Sequence, residues 1–440
     1  SGKFPSFQGM LIDPTTNAPL ALPLHFEDGG LFAWRVADDK LHTILTLAAD
    51  LAYTYDRGTV TVYGNVVDAT HGQSTGEVLG NGDATRAFQS FTLSQSPLTY
   101  LSAPTPSGIA STLAVRVNEL LRHELDDVGR AGPNDRIYVT REDDAQKTSV
   151  TFGDGKHGAR LPTGTGNVKA SYRYGLGEAG NVAAGQISQL ATHPLGAQSV
   201  VNPLPASGGA DPDRIDQARA NAPLAVKALD RLVSVRDYAD FTRTYAGIGK
   251  ATASRISDGR RQLVHVTVAG AGDIAIDPSS DLYRNLLASL RAFGDPFQPV
   301  RVDPRRLRLL VMSAALGLQP DYAWEDVAPA VRAALLARFA FDARELGQSA
   351  FLSEAVRTAQ DVAGVSYVDF SVFDSVGESV TATQLAGLGT TLTLREYVRA
   401  QGTSVDTLVP AGDTHRILPA ELVFLTPDVP DTLILSEAGS

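Results

Sequence analysis

Residues 151–185 read TFGDGKHGARLPTGTGNVKASYRYGLGEAGNVAAG and hold nine glycines. Glycine at that density has two physical uses. Bare backbone N–H groups can close on a phosphate or carboxylate. Alternatively, glycines permit tight turns and close packing between strands, with no ligand involved. GLGEAG (175–180) is a literal G-x-G-x-x-G directly after a predicted strand. A dinucleotide site also needs a helix opening at that turn and an acidic residue roughly 20 positions on for the ribose. The following NVAAGQISQLATHP is interrupted by Gly185 and ended by Pro194, and no Asp or Glu lies between Glu178 and Asp211. The motif fails its own context.

Other candidate chemistry fares no better. GIGKA (247–251) ends like a P-loop, but Thr244 stands where the first glycine belongs and Ala251 where a magnesium-binding hydroxyl belongs. GQSTG (72–76) matches a nucleophile elbow with Ser74 as nucleophile, yet EVLGNGDATRAF follows and cannot start the long helix an elbow requires. The eight histidines form no HxH pair and no HExxH. HELDD (123–127) and the set Asp211, Asp213, Asp216 could chelate calcium in principle, but neither carries the Gly and terminal Glu of an EF-hand loop. No catalytic, cofactor or metal site is therefore expected. Gly153, Gly155, Gly158, Gly175, Gly177 and Gly180 are expected to be turn and scaffold glycines. Asp154, Lys156 and His157 are expected to be loop side chains whose loss leaves folding nearly unchanged.

The elements that would position these residues fall into two regimes. Before residue 200 the period is two. LAVRV places Leu113, Val115 and Val117 on one face; RIYVT, SVTFG and NVKASYRYG continue the habit, the last alternating Val168, Ala170, Tyr172 and Tyr174 with Lys169, Ser171 and Arg173. NPLPASGGADPD (202–213) then changes the composition, and Gly208, Gly209 and Pro212 make it a hinge candidate. Beyond it the period becomes helical. Ser234 and Asp237 form a capping box, with Tyr238, Phe241 and Tyr245 on one face and Gly247 as the stop. A strand (263–270) precedes a helix with a Leu282–Leu286–Leu290–Phe293 stripe. A second round follows: strand RLRLLVMSAAL, a helix with Val327, Val331, Leu335 and Phe339, a short helix from Ser353 to Gly364, and strand VSYVDFSVF. The expected fold is α+β and multidomain: a β-rich N-terminal body (antiparallel sandwich or barrel-like), then two small ferredoxin-like α+β units. The expected divisions are 1–60 (no clear assignment), 61–205 (β-rich core), 214–305 and 306–374 (α+β units) and 375–440 (an extension with strands).

Composition bounds the rest. At 440 residues, 43% hydrophobic and 20% charged, the chain reads as globular with several domains. A net charge of −11 disfavours a nucleic-acid surface, and zero cysteines exclude disulfides, zinc ribbons and cysteine nucleophiles together. The apolar run from Leu41 to Tyr55 is broken by His42 and Asp50 and is too short to span a bilayer, so no membrane insertion is expected. The chain opens SGKFPSF without a methionine, which leaves room for residues ahead of it.

Four ordered runs carry a family resemblance: EVLGNGDATRAFQSFTLSQSPLTYL (77–101), the glycine stretch from Val150, NPLPASGGADPD, and APLAVKALDRLVSVRDYADFTRTYAGIGKA (222–251). Together they resemble the J-like baseplate assembly proteins of contractile phage tails and phage-tail-like injection systems, over roughly residues 60–260. FDARELGQSAFLSEAV (341–356) fits the C-terminal half of that family more loosely. The resemblance implies a non-enzymatic wedge component without cofactors, arranged with sixfold symmetry. It would join hub and spike to sheath and fibres and transmit the trigger for contraction. Implied partners are other wedge subunits, hub and spike proteins, the sheath initiator and tail-fibre proteins, with assembly in the bacterial cytoplasm into a phage tail or tail-like particle. Two other classes stand beside it. A carbohydrate- or calcium-binding β-module of a tail fibre or adhesin would show an exposed aromatic platform or ligand-grade carboxylates. A nucleotide-using cytosolic enzyme would need one of the motifs that failed above.

Overall fold

The structure is a computed structural model. It describes residues 69–212, 232–378 and 392–438, apart from 176, 193, 204, 207, 279, 412, 414, 415 and 428, together with the single positions 67, 215 and 219. Ahead of these it gives the backbone of five strands, Ser6–Ile12 (β1), Pro19–Leu24 (β2), Leu31–Val36 (β3), Thr43–Leu47 (β4) and Thr61–Tyr63 (β5). Strand β1 pairs antiparallel with both β2 and β5, and β3 with β4. The chain divides into two compact units, one comprising Ser1–Thr105, Ile109–Pro212 and Pro278–Asp281, the other Pro106–Gly108, Asp213–Asp277 and Leu282–Ser440.

The first unit is the β-rich body. Its strands are Gln73–Gly82 (β6), Ser90–Thr92 (β7), Tyr100–Ser102 (β8), Ile109–Ser111 (β9), Ala114–Val117 (β10), Leu120–Leu121 (β11), His123–Glu124 (β12), Ile137–Glu142 (β13), Thr148–Phe152 (β14) and Gly164–Tyr174 (β15). Two four-stranded sheets form, ordered β11-β10-β15-β6 and β12-β13-β14-β7. The period-two reading holds, because Val168, Ala170 and Tyr172 of β15 are buried between exposed Lys169 and Ser171. Residues of both sheets share one core: Val115, Val117, Val168 and Tyr172 from the first, Tyr138, Val150 and Phe152 from the second. The body is thus a two-sheet sandwich, and the described strands close no barrel. Tyr138 crosses between the sheets and donates its buried hydroxyl to the Leu113 carbonyl at 2.9 Å. One pairing departs from the antiparallel expectation: β12 runs parallel to β13.

In the second unit the helical period takes over. The capping box forms as read, with Ser234 Oγ accepting from Asp237 N and the Asp237 carboxylate accepting from Ser234 N. It starts helix Val235–Arg243 (α1), whose Tyr238 and Phe241 are buried. Gly247, at φ +85°, turns the chain into Ile248–Ser257 (β16). A hairpin leads to Gln262–Gly270 (β17), buried along nearly its whole length, and Asp281–Phe293 (α2) crosses over to Val300–Pro304 (β18), parallel to β17. Leu282, Leu286 and Leu290 of α2 face this sheet in one core with Val264, Val266 and Val268. The sheet has three strands, ordered β16-β17-β18, where a ferredoxin-like unit would have four.

The second round centres on Arg306–Leu318 (β19). Helices Trp324–Phe339 (α3) and Leu352–Gln360 (α4), the latter preceded by Ala350–Phe351 (β20), lead to Val365–Gly377 (β21), antiparallel to β19. Leu310, Met312, Ala314 and Leu316 of β19 pack with Val327, Val331, Leu335 and Phe339 of α3, the stripe read from the sequence. Short strands Tyr397–Val398 (β22), Ser404–Val405 (β23) and Ile417–Leu418 (β24) follow. Glu421–Phe424 (β25) and Leu433–Glu437 (β26) then add in parallel to the other edge of β19, at its first and second halves respectively.

Leu335 is fully buried in this core, whereas Phe297 is 92% exposed in the turn after α2. Leu335→Ala is expected to cost about 2–5 kcal/mol in denaturant unfolding, and Phe297→Ala to stay within about 0.5 kcal/mol of the parent.

Candidate functional site

The glycine stretch begins where β14 ends in buried Phe152. Gly153 lies against the next turn so closely that an added Cβ would fall on the backbone of Gly158 and 2.5 Å from the His157 carbonyl oxygen. Gly155 N donates to the Gly158 carbonyl at 2.8 Å, and Gly158 N to Gly132 O at 3.0 Å. Gly158 needs both of glycine's freedoms: its φ is +81°, and a Cβ there would stand 2.7 Å from Ile137 Cδ1. The loop's remaining donors point at the chain itself. Asp154 Oδ1 accepts from Lys156 N (2.8 Å) and His157 N (2.7 Å), and Arg160 Nε donates to the Asp154 carbonyl at 2.6 Å. The two backbone N–H bonds, from His157 first and then Lys156, hold the Asp154 carboxyl down to about 2. Asp154, expected as a loop side chain, closes the turn with its carboxylate. The Lys156 and His157 side chains are exposed.

GLGEAG departs further from a nucleotide turn. Glu178–Gly180 is one short 3-10 turn and opens no α-helix. Glu178 N, inside the motif, donates to Asp211 Oδ1 at 2.9 Å. Asn181 then grips Gly209 at both backbone polar atoms, Nδ2 donating to its carbonyl at 2.7 Å and Oδ1 accepting its N–H at 2.9 Å. Gly177 and Gly209 interlock: a Cβ on Gly177 would fall on the Ala210 carbonyl, and one on Gly209 on the Gly177 carbonyl. Gly175 and Gly180 both approach His71, with an added Cβ 3.1 Å and 2.6 Å from its ring. The structure therefore brings Gly177 and Gly180 together with the hinge candidate Gly209, while Gly208 (φ +86°) and Pro212 carry the chain out of this clasp.

The remaining motifs disperse. Ser74 is an exposed residue within β6, paired to Arg173, with no elbow around it. The GIGKA lysine, Lys250, is buried 4.9 Å over the Phe341 ring and donates to the Asp342 carbonyl at 3.3 Å. Burial pushes its pKa down, and Glu345 and Asp342 oppose that. In HELDD, Glu124 accepts from Ser111 and, at 2.6 Å, from Thr140, while Asp127 caps the 3-10 turn Val128–Arg130. Asp213 and Asp216 lie outside the described residues. Among the described residues no three His, Asp or Glu side chains gather as a metal would need.

Sequence spacing could not reveal the buried polar knots. Fully buried His265 bonds Asp303 at 2.7 Å, with Arg301 on the same carboxylate. Fully buried Arg344 pairs with Glu354 at 3.1 Å. Asp374 accepts from Arg395 Nε (2.7 Å), Thr393 N and Oγ1, and Ser375 N. Burial raises the Asp374 pKa, but these bonds, led by Arg395, outweigh it and leave it lowered. Each knot joins residues from separate elements, and none makes a cleft with a nucleophile beside a base.

Known proteins offer two matches by family. Residues 149–209 match the Baseplate J-like protein barrel domain, and residues 230–303 the Baseplate J-like central domain. No curated protein matches the sequence. A solved structure, the cryo-EM structure of the anti-feeding prophage (AFP) baseplate, 6-fold symmetrised, aligns with 74% of this chain and 74% of its own at 12% identity. Its TM-score of 0.31 is too low to carry a structural argument.

Gly153→Val is expected to destabilise the body by about 1–3 kcal/mol, because the clash is with backbone that cannot swing aside. Asp154→Ala is expected to lower the melting temperature, whereas Lys156→Ala leaves it unchanged. The Asp154 carboxyl is depressed from 3.8 to about 2, so its contribution is complete above about pH 4 and lost as pH falls through about 2. Melting curves of parent and Asp154→Ala should converge at the acid end of that window.

Proposed function

We propose that this chain, a baseplate J-like protein by its two matched domains, is a structural wedge subunit in the baseplate of a contractile injection system. The supporting observation is where the first match falls. Residues 149–209 contain the glycine stretch whose backbone donors are engaged by the chain's own Asp154 and Asp211. A domain whose candidate anion cradle is filled from within acts through its outer surfaces, and we read the protein as non-enzymatic on that ground. Its partners in this reading are other wedge subunits, hub and spike, sheath initiator and fibre proteins. It assembles in the bacterial cytoplasm into a phage tail or tail-like particle, without inserting in a membrane. No described helix is long and apolar enough to cross one.

The same reading gives the Gly/Pro segment a role in transmitting the contraction trigger. Asn181 holds Gly209 at both backbone polar atoms, which supports a pivot on the far side of it, at Pro212. The modules 61–205, 214–305 and 306–374 are the bodies it would join, and 375–440 contributes strands to the last.

Obligate assemblies of this kind bury upward of roughly 2,000 Å² per interface. Deleting the gene is expected to abolish extended sheathed particles in electron micrographs, with rescue by the intact gene supplied in trans. Normal particles from the deletion strain would end the proposal.

A further inference from the structure

Two arginines are buried among the described residues, and the chain treats them very differently. Arg344 Nη1 meets Glu354 at 3.1 Å, and its Nη2 donates to the carbonyls of Gln348 and Ser349 at 3.3 and 2.6 Å. Arg122 is 7% exposed, and neither its Nε nor its Nη1 has a hydrogen bond. No carboxylate of the described residues pairs with it. The charge that does act on it is a like one, Arg136, which adds to burial in pushing its pKa down.

Arg122 sits where the chain passes from one sheet of the body to the other, between β11 and β12. Its N–H donates to the Val115 carbonyl on the first sheet at 2.8 Å. The next N–H, of His123, donates at 2.9 Å to the Arg136 carbonyl, just ahead of β13 in the second. The β12–β13 register, carried one step back from His123–Ile137, sets Arg122 beside Arg136. Arg136 is exposed, as are Leu121 and His123 on either side of Arg122, so the buried guanidinium lies just beneath the surface.

A buried charge with no counter-charge is among the costliest arrangements a fold can carry, and such groups are found paired or bound to an ion. Here the nearest charge deepens the deficit. Two neighbouring guanidiniums match an oxyanion of two charges, which accepts from the planar fork at two oxygens. A single carboxylate would balance only one of them. A free ion also needs no stem to reach a group this little exposed, whereas a carboxylate on another protein does.

We propose that Arg122 and Arg136 hold an inorganic dianion of phosphate's size at this crossing, where it ties the two sheets of the body together. The site shares no residue with the glycine turns, whose amides are taken by Asp154 and Asp211, and it does not depend on the baseplate reading.

The test melts the full chain in increasing inorganic phosphate, with sodium chloride holding the ionic strength constant, beside Arg122→Met and Arg136→Ala. Phosphate is expected to raise the parent's melting temperature saturably, by mass action on the folded state. Arg122→Met should lose the saturable part and keep only the shallow rise that excluded salts give any protein. Arg136→Ala should move the midpoint to about tenfold higher phosphate, the worth of one charge-assisted hydrogen bond. In the unaltered chain the Arg122 Nε–H resonance should shift along the same saturation curve, a readout that stands even where a variant fails to fold. A parent with no saturable rise and an unmoved Nε–H overturns the proposal, as does an Arg136→Ala midpoint equal to the parent's. An Arg122→Met chain whose rise matches the parent's marks an adventitious ion only and overturns it too. Acetate acting as strongly as phosphate overturns it in favour of a carboxylate.

Discussion

Aspartates close turns throughout the described residues, and three of these turns sit at joints of the architecture. Asp154 accepts from the N–H groups of Lys156 and His157, Asp211 from Glu178, and Asp258 from Arg260 and Arg261 at 2.7 and 2.8 Å. A backbone nest of this kind is what proteins use to hold phosphate. Here the paired amides of Lys156 and His157 and of Arg260 and Arg261, and the single amide of Glu178, are taken by carboxylates two to thirty-three residues away, so the glycines serve the turn itself. The first turn seats the end of β14, the second clasps residues 177–181 to 209–211, and the third closes the β16–β17 hairpin.

The consequence for function is physical. The amides of Lys156, His157 and Glu178 are taken by the chain's own carboxylates, and among the described residues no three metal-ligating side chains gather. The buried knots point the same way. His265–Asp303–Arg301, Arg344–Glu354 and Asp374–Arg395 each hold a buried side chain, and removing Glu354 or Arg395 would strand the buried charge of Arg344 or Asp374. They stiffen the elements that present the described outer surface.

Legibility in the sequence tracked the range of each interaction. Alternation along β15 and the stripe of α3 are local periodicities, and both appear in the structure as read. The capping box Ser234–Asp237 and the stop at Gly247 are local chemistry and were equally readable. What stayed hidden is non-local. Nothing in HELDD announces that β12 pairs in parallel with β13, nor in the last twenty residues that β25 and β26 share one edge of β19. Asp154 reads in sequence as any polar loop residue, because an Asx turn shows itself only through its N–H partners. Asp211 was weighed as a calcium ligand and proves to be the acceptor for Glu178, thirty-three residues earlier.

The account stands or falls on whether those cradles are full. Its most direct measurement follows the backbone amide resonances of Lys156, His157 and Glu178 in the full chain during titration with inorganic phosphate, ATP and NAD. Amides already bonded to Asp154 and Asp211 are predicted to stay unmoved at millimolar ligand. A saturable shift at these positions, with Asp154 or Asp211 displaced, would contradict the account and return the glycine stretch to the nucleotide-binding class.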